Sequence, residues 1–375
     1  NFRCIAISDF PGLERSLITR PHLTPGITMF APILTLAILI GTLSAPHPAD
    51  VALLQNARTP VSGASGYAAL AATLEATAPL PREIPRMERD EEEPLAVARK
   101  NLLLWQALPA VKRAALLPDL LPLLRFAHFR RAASIEDLPK FTRLFALREV
   151  NAFRFVSGEQ EAALQSACDV AVIGRRLLLS DNLLLDAMVG VALLEQNVRL
   201  LAAMRAELPA DAPLPATCDE LQPLANVQLA LAAQMYGEWR FFMSGEAEAV
   251  GDWMTVAYSF VLRHLPRYSI RGFTRYAAPE VLTAVARGEV AVPPRYPVFD
   301  FCPPRGGLCG LTTMDDYQAR LLNVNRYLAA FAALRDPVHL PKGMLRDGVF
   351  LYLELLPTQR GVQTLVLPLP GSQAR

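Results

Sequence analysis

The stretch that decides the fold is EQEAALQSACDVAVIGRRLLLSDNLLLDAMVGVALLEQNVRLLAAMRAEL, Glu159–Leu208. It reads as two long apolar helices joined at Ser180-Asp181-Asn182. In the first, Glu161, Gln165, Asp169, Arg176 and Ser180 fall on one polar stripe at a period of about 3.6 residues. Leu164, Cys168, Val172, Ile173, Leu177 and Leu179 make up its apolar remainder. The side chain of Asp181 or Asn182 is expected to cap the second helix by accepting from its free N–H groups. From Leu183 to Leu194 only Asp186 and Gly190 interrupt the apolar side chains. A helix apolar nearly all round must be covered on several sides. The uninterrupted run is shorter than the roughly 20 residues a bilayer span needs, so it reads as the central helix of a helical domain.

Helical patterns continue on both flanks. Upstream they cover Leu95–Gln106, Val111–Leu117 and Leu138–Gly158, with Pro109, Pro118 and Pro122 as breakers and Gly158 as a terminator. Downstream they cover Asp219–Arg240, Glu246–Leu265, Pro279–Arg287 and Met314–Leu334, with residues 288–313 irregular. The tail changes period: Val349–Leu355 and Val362–Leu367 are β-like runs around Pro357–Gly361. The expected fold is mainly α, an irregular multi-helix domain of packed helical hairpins with a small C-terminal β-hairpin from residue 348 onward.

Hydrophobic residues make up 52% of the 375, which directs attention to the N-terminal end. Leu23–Ala49 contains no Asp, Glu, Lys or Arg, and Ile27–Ala45 is apolar enough for a bilayer. Residues 1–28, with Arg3, Arg15 and Arg20, read as a leader, and Met29 is a candidate start. Residues 29–49 then form a transmembrane signal anchor, Arg-bearing end inside, with the body in the periplasm. The alternative is a signal peptide cleaved near Thr42-Leu43-Ser44. Residues 50–94, with Ser-Gly-Ala-Ser-Gly and the acidic run Glu88–Glu93, read as a solvated linker. A short helix around Tyr67–Ala78 is compatible with it. Residues 95–375 are the helical periplasmic domain.

A net charge of +1 gives no field that would draw nucleic acid. Lys occurs only at 100, 112, 140 and 342, so the cations are almost all Arg. Of five cysteines, Cys302 and Cys309 are the disulfide candidate, closing a short Pro- and Gly-rich loop in an oxidising compartment. Zinc would need further ligands that no nearby Cys or His provides.

Two acids stand out as catalytic candidates. Asp186 lies among Leu183, Leu184, Leu185, Met188 and Val189, where desolvation would favour a neutral carboxyl fit for general-acid work. The simpler reading is an acid stabilised by the helix N-terminus. Glu238 and Arg240, followed by Glu246, Glu248 and Asp252, can assemble carboxylates for glycoside cleavage or form a structural Glu–Arg pair. Asp300, Asp315 and Asp316 bracket the Cys loop without calcium-loop spacing, and Asp315 is expected to cap the helix after it. His22, His47, His128, His264 and His339 are scattered, and no metalloprotease, nucleophile-elbow, phosphate-loop or dinucleotide motif occurs. No cofactor or metal site is expected.

Leu183–Ala192, Gly237-Glu238-Trp239-Arg240, and Pro303–Leu334 with Asp316-Tyr317 and Arg320, resemble a group of bacterial envelope proteins. These have an N-terminal membrane segment and a helical body, but no established activity. The Cys302/Cys309 pair and the long leader depart from that pattern. The resemblance implies location and architecture only. The expected function is that of a membrane-tethered, non-catalytic binding or scaffold protein of the envelope. Its partner would be another envelope protein or a lipid-like ligand. The alternative is an envelope-polymer hydrolase working through Glu238 and Asp186.

Overall fold

The structure, a computed structural model, describes residues 46–56, 62–87, 93–131, 139–180, 183–244, 263, 266–291, 293, 314–335, 340–341, 343–358 and 361–373. The leader, most of the 29–49 segment, the acidic run before Glu93, nearly all of Glu246–Leu265 and the Cys302/Cys309 loop lie outside the described residues.

The N-terminal part holds α1 (Pro48–Asn56), α2 (Tyr67–Ala76), α3 (Pro94–Lys100), α4 (Leu102–Ala107), α5 (Ala110–Ala115) and a 3-10 turn at Leu121–Arg125. The centre is α6 (Thr142–Val156), α7 (Gln160–Leu179) and α8 (Leu184–Glu207). After a second 3-10 turn at Ala216–Glu220 come α9 (Val227–Ser244), α10 (Pro266–Thr274), α11 (Pro279–Ala286) and α12 (Met314–Ala333). Three strands close the chain: β1 (Met344–Asp347), β2 (Phe350–Glu354) and β3 (Thr364–Pro368). The mainly helical fold expected from periodicity is the fold observed.

Helices α6, α7 and α8 pack against one another as the core of the molecule. The turn from α6 to α7 is a Schellman motif: Glu159 N–H donates to Arg154 O and Gly158 N–H to Phe155 O, with Gly158 at φ 98°. The backbones of α7 and α8 touch at Gly174 and Gly190. A Cβ on Gly190 would come within 2.5 Å of Gly174 O and 2.9 Å of Leu178 N. Any side chain there would force the helices apart.

Helix α8 is the one helix among the described residues long and apolar enough to cross a membrane. Of its apolar window, 78% is covered by the rest of the protein, which fits a core helix equally well. Around it lie α6, α9, α12 and β3. Helix α12 fastens three separate loops with side-chain amides that pair with backbone as a strand would. Gln318 bonds both N–H and C=O of Ala291, Asn323 those of Leu356, and Asn325 those of Leu224. Each leaves the loop's buried polar groups satisfied.

A disulfide joins Cys168 of α7 to Cys218 in the second 3-10 turn, with Cα atoms 5.1 Å apart. In the sequence Cys168 reads as one more apolar residue on the buried face of its helix, and nothing local connects it to a cysteine 50 positions on. The expected Cys302/Cys309 bridge lies outside the described residues.

Three local expectations change. The stretch read as a solvated linker carries α1 and α2 and buries Leu54, Leu70, Leu74, Ile84 and Met87. Its Pro- and Gly-rich composition reflects turns between short packed pieces. The expected Leu95–Gln106 helix breaks at Asn101, whose side-chain amide bonds back to Val97 O. The helix expected from Asp219 begins at Val227, because Pro223 has no N–H to continue one. The expected C-terminal hairpin is present as β2 and β3, and β1 adds a third strand to make an antiparallel sheet of order β1-β2-β3. Gly348 at φ 55° takes the first central position of the two-residue β1–β2 turn, where positive φ is required.

Candidate functional site

The α7–α8 turn is where apolar helices end inside the protein. Helix ends leave N–H and C=O groups without partners, and burial makes each unpaired group costly. Leu183, the residue preceding α8, supplies no side-chain cap. The expected caps, Asp181 and Asn182, lie outside the described residues. The observed partners come instead from α9, one turn apart on a single face.

Gln234, wholly buried, donates from its side-chain amide to Leu178 O at 2.8 Å and Ser180 O at 3.4 Å, at the C-terminal end of α7. Glu238, four residues later, accepts the Leu184 N–H at 2.5 Å, at the N-terminal end of α8. The donor amide thus meets the carbonyl end of one helix and the carboxylate meets the amide end of the next. That matches both their hydrogen-bonding capacity and the helix dipoles.

Asp186 sits in the first turn of the same α8 terminus and is 0% exposed. Its Oδ1 accepts from the Tyr67 hydroxyl at 3.2 Å and from Arg131 Nη2 at 3.0 Å. The Arg131 guanidinium also lies over the Tyr67 ring, 5.2 Å from its centroid. Both reach Asp186 because their segments are stitched together. Ser65 and His128 form a parallel bridge, Gly66 N–H donates to His128 O, and His128 Nε2 lies 3.2 Å from Gly63 O. Ser180 Oγ, at the end of α7, accepts the Phe129 N–H.

Burial pushes the Asp186 carboxyl above its usual range, opposed chiefly by the Arg131 charge. Burial also drives the Glu238 carboxyl up to about 7. The Leu184 N–H bond resists that rise, the Asp186 charge reinforces it, and Arg131 opposes it. Arg131 is bonded to Asp186, and its charge acts on Glu238 only through space. Tyr317 of α12 joins from a third side, fully buried, with its ionisation pushed upward by burial and by the Glu238 charge. Among the described residues, the Tyr317 hydroxyl and Asp186 Oδ2 have no hydrogen-bond partner.

The two acids singled out in the sequence, Asp186 and Glu238, thus meet at one helix end. The arrangement holds a proton near neutral pH and binds two helix termini. Both readings of Asp186 keep support: a raised carboxyl, and an acid at the start of a helix. The Glu238–Arg240 pair does not form among the described residues: Glu238 is bonded to Leu184 N–H, and Arg240 lies over the Tyr236 ring at 5.8 Å. Glu246, Glu248, Asp252, Asp300 and His264 lie outside the described residues. Helix α12 starts at Met314, so Asp315 lies inside it rather than before it. Asp316 pairs with Arg320 at 2.6 Å. No group of three His, Cys, Asp or Glu that could hold a metal occurs among the described residues.

Sequence reading missed Tyr67, Arg131, Gln234 and Tyr317. Gln234 and Glu238 did leave a signal, being polar residues at i and i+4 in the largely apolar middle of α9. No family model, curated protein or solved structure matches the chain.

Proposed function

We propose that this chain is a non-catalytic, membrane-tethered helical binding or scaffold protein of the bacterial envelope. The observation that carries the reading is the commitment of both candidate acids to architecture. Glu238 caps α8 from α9, and Asp186 holds Arg131 and Tyr67 against the same helix end. The Cys168–Cys218 disulfide supports a body that folds in an oxidising compartment, since such bonds are rare where thiols are kept reduced. The uncharged N-terminal stretch supports the tether.

A hydrolase working through the same acids has one observation in its favour: a carboxyl near 7 suits a proton donor. Against it, glycoside cleavage needs two carboxyls flanking a sugar, and Asp186 has no exposed surface.

Native mass spectrometry of the protein extracted from its own membrane in mild detergent tests the proposal. A stoichiometric protein partner or bound lipid is the expected result. A lone chain that cleaves envelope polymer, and loses that activity in Glu238→Gln and Asp186→Asn, would replace it with the hydrolase. Thiol labelling adds a check on compartment: Cys168 and Cys218 should resist alkylation in cells until a reductant is added.

A further inference from the structure

Large apolar side chains are exposed in one short stretch of the N-terminal part. Leu103 is 80% exposed, Val111 75% and Leu121 71%, and Leu104 is exposed beside them. Helix α4 turns Trp105 inward, where it stacks on Phe153 at 5.3 Å, and so turns Leu103 and Leu104 outward. Helix α5 buries none of its residues. The two helices form one elbow, because Arg113 of α5 lies over the Trp105 ring of α4, 6.0 Å from its centroid. The hold of α5 on the body is the bond from Ala78 N–H to Ala115 O and the buried Leu116 that follows it, so its own side chains are left to solvent.

The charge along the elbow's own stretch is one-sided, although Glu93 stands just before it and acts on Arg99. Residues 95–125 contain Arg99, Lys100, Lys112, Arg113 and Arg125 but only one acid, Asp119, in a protein whose net charge is +1. Arg99 pairs with Glu207. Lys100, Lys112, Arg113 and Arg125 form no ion pair among the described residues. Two of the chain's four lysines lie here, Lys100 at the end of α3 and Lys112 within α5.

We infer that the α4–α5 elbow lies against an anionic phospholipid surface, with Leu103, Leu104 and Val111 entering the interface and Lys100 and Lys112 facing the headgroups. Exposed leucine and valine flanked by unpaired cations is the composition of an interfacial helix, which lies in the membrane plane without crossing it. A protein partner would have to supply acids in a matching pattern, whereas an anionic bilayer presents them everywhere. The contact deepens the tethered reading above: the body would rest on the membrane at a second point, far in sequence from the anchor.

The test uses the full chain with Leu103→Trp, incorporated into vesicles of phosphatidylcholine with or without phosphatidylglycerol, both carrying brominated acyl chains. The unsubstituted protein supplies the tryptophan background. Quenching of the introduced indole in the phosphatidylglycerol vesicles is expected. Lys100→Gln and Lys112→Gln should each weaken the contact about fivefold, the equivalent of about 1 kcal/mol per charge. Val362→Trp, at an exposed position on the sheet side, should stay unquenched. Equal quenching at both positions, no quenching in the Leu103→Trp chain, or insensitivity to the two lysines overturns the proposal. So does a blue shift of the Leu103→Trp emission that grows with protein concentration, which would mark a second copy as the occupant. Vesicle flotation in high salt separates the two readings. A Leu103→Trp chain that floats while its introduced indole remains unquenched leaves the tether standing, and a chain that does not float removes the tether.

Discussion

At the waist of the α7–α8 hairpin, Gly174 and Gly190 let two backbones meet with nothing between them. At its turn the same pair is held by Gln234, Glu238, Arg131 and Tyr67, brought from three other parts of the chain. One contact is made by shape and the other by charge. A contact of shape is indifferent to pH and intolerant of added volume. A contact of charge tolerates isosteric change but depends on every partner remaining in place. The apolar helix explains the contrast: α8 can be packed anywhere along its length, but its end must still satisfy free N–H groups inside the protein.

The largest effect expected from breaking this comparison is at Arg131. Arg131→Met leaves Asp186 buried without its cation and should lower stability by about 3–5 kcal/mol at neutral pH. Urea unfolding of a double-mutant cycle with Asp186→Asn measures the coupling directly. The neutral pair should recover much of the loss, whereas strictly additive single effects would show that the ion pair contributes nothing at this helix end.

At the waist the expected effect is smaller. Gly190→Ala sets a methyl group against the Gly174 carbonyl and the Leu178 backbone. Overpacking costs up to about 3 kcal/mol, and the better helix propensity of Ala returns about 1, so a net loss of about 2 kcal/mol is expected. Gly174→Ala should cost less, since its nearest neighbour is the Leu193 side chain at 2.9 Å and Gly190 O stands at 3.1 Å. Thermal unfolding at about pH 5 and about pH 7.5, on either side of ordinary histidine titration, checks the distinction: both losses should be the same at the two values. A strongly pH-dependent loss would mean that waist and turn are one cooperative contact.

The waist and the turn also differ in how far the sequence announces them. The two helices are legible because their apolar residues recur at helical spacing over some 50 positions. The turn is not, because its partners are one or two residues each from distant segments. Arg131 is one of many arginines, and Tyr67 lies in a stretch whose composition reads as linker. Cys168 is hidden by its own burial, being as apolar in pattern as the leucines beside it. Strand β1, Met-Leu-Arg-Asp, is four residues long and too short to show alternation. Periodicity reports which face is covered; it carries no record of what covers it.

Glu238 offers the finest separation of the two contacts. Its carboxyl rises to about 7 in the folded protein from an ordinary 4.5, so the folded state holds a proton that the unfolded chain releases between those values. The stabilisation is complete below about pH 4.5 and is lost as pH climbs through 7. Glu238→Gln keeps the oxygen that accepts the Leu184 N–H and removes the titration. The variant should therefore match the wild type near pH 4.5 and exceed it near neutrality. A gain on the order of 1 kcal/mol is expected, well below the full shift because the residue is half-buried and solvent screens part of the effect. Asp186, Glu149 and Asp169 are also raised by burial and tilt the profile in the same direction, so the difference between variant and wild type is the quantity to follow. A parallel pair of pH profiles would place the proton elsewhere and reduce Glu238 to a plain hydrogen-bond acceptor. Convergence at acid pH would show that burying the Glu238 charge costs the folded protein more than the Leu184 N–H bond returns, while the glycine waist carries no such titration.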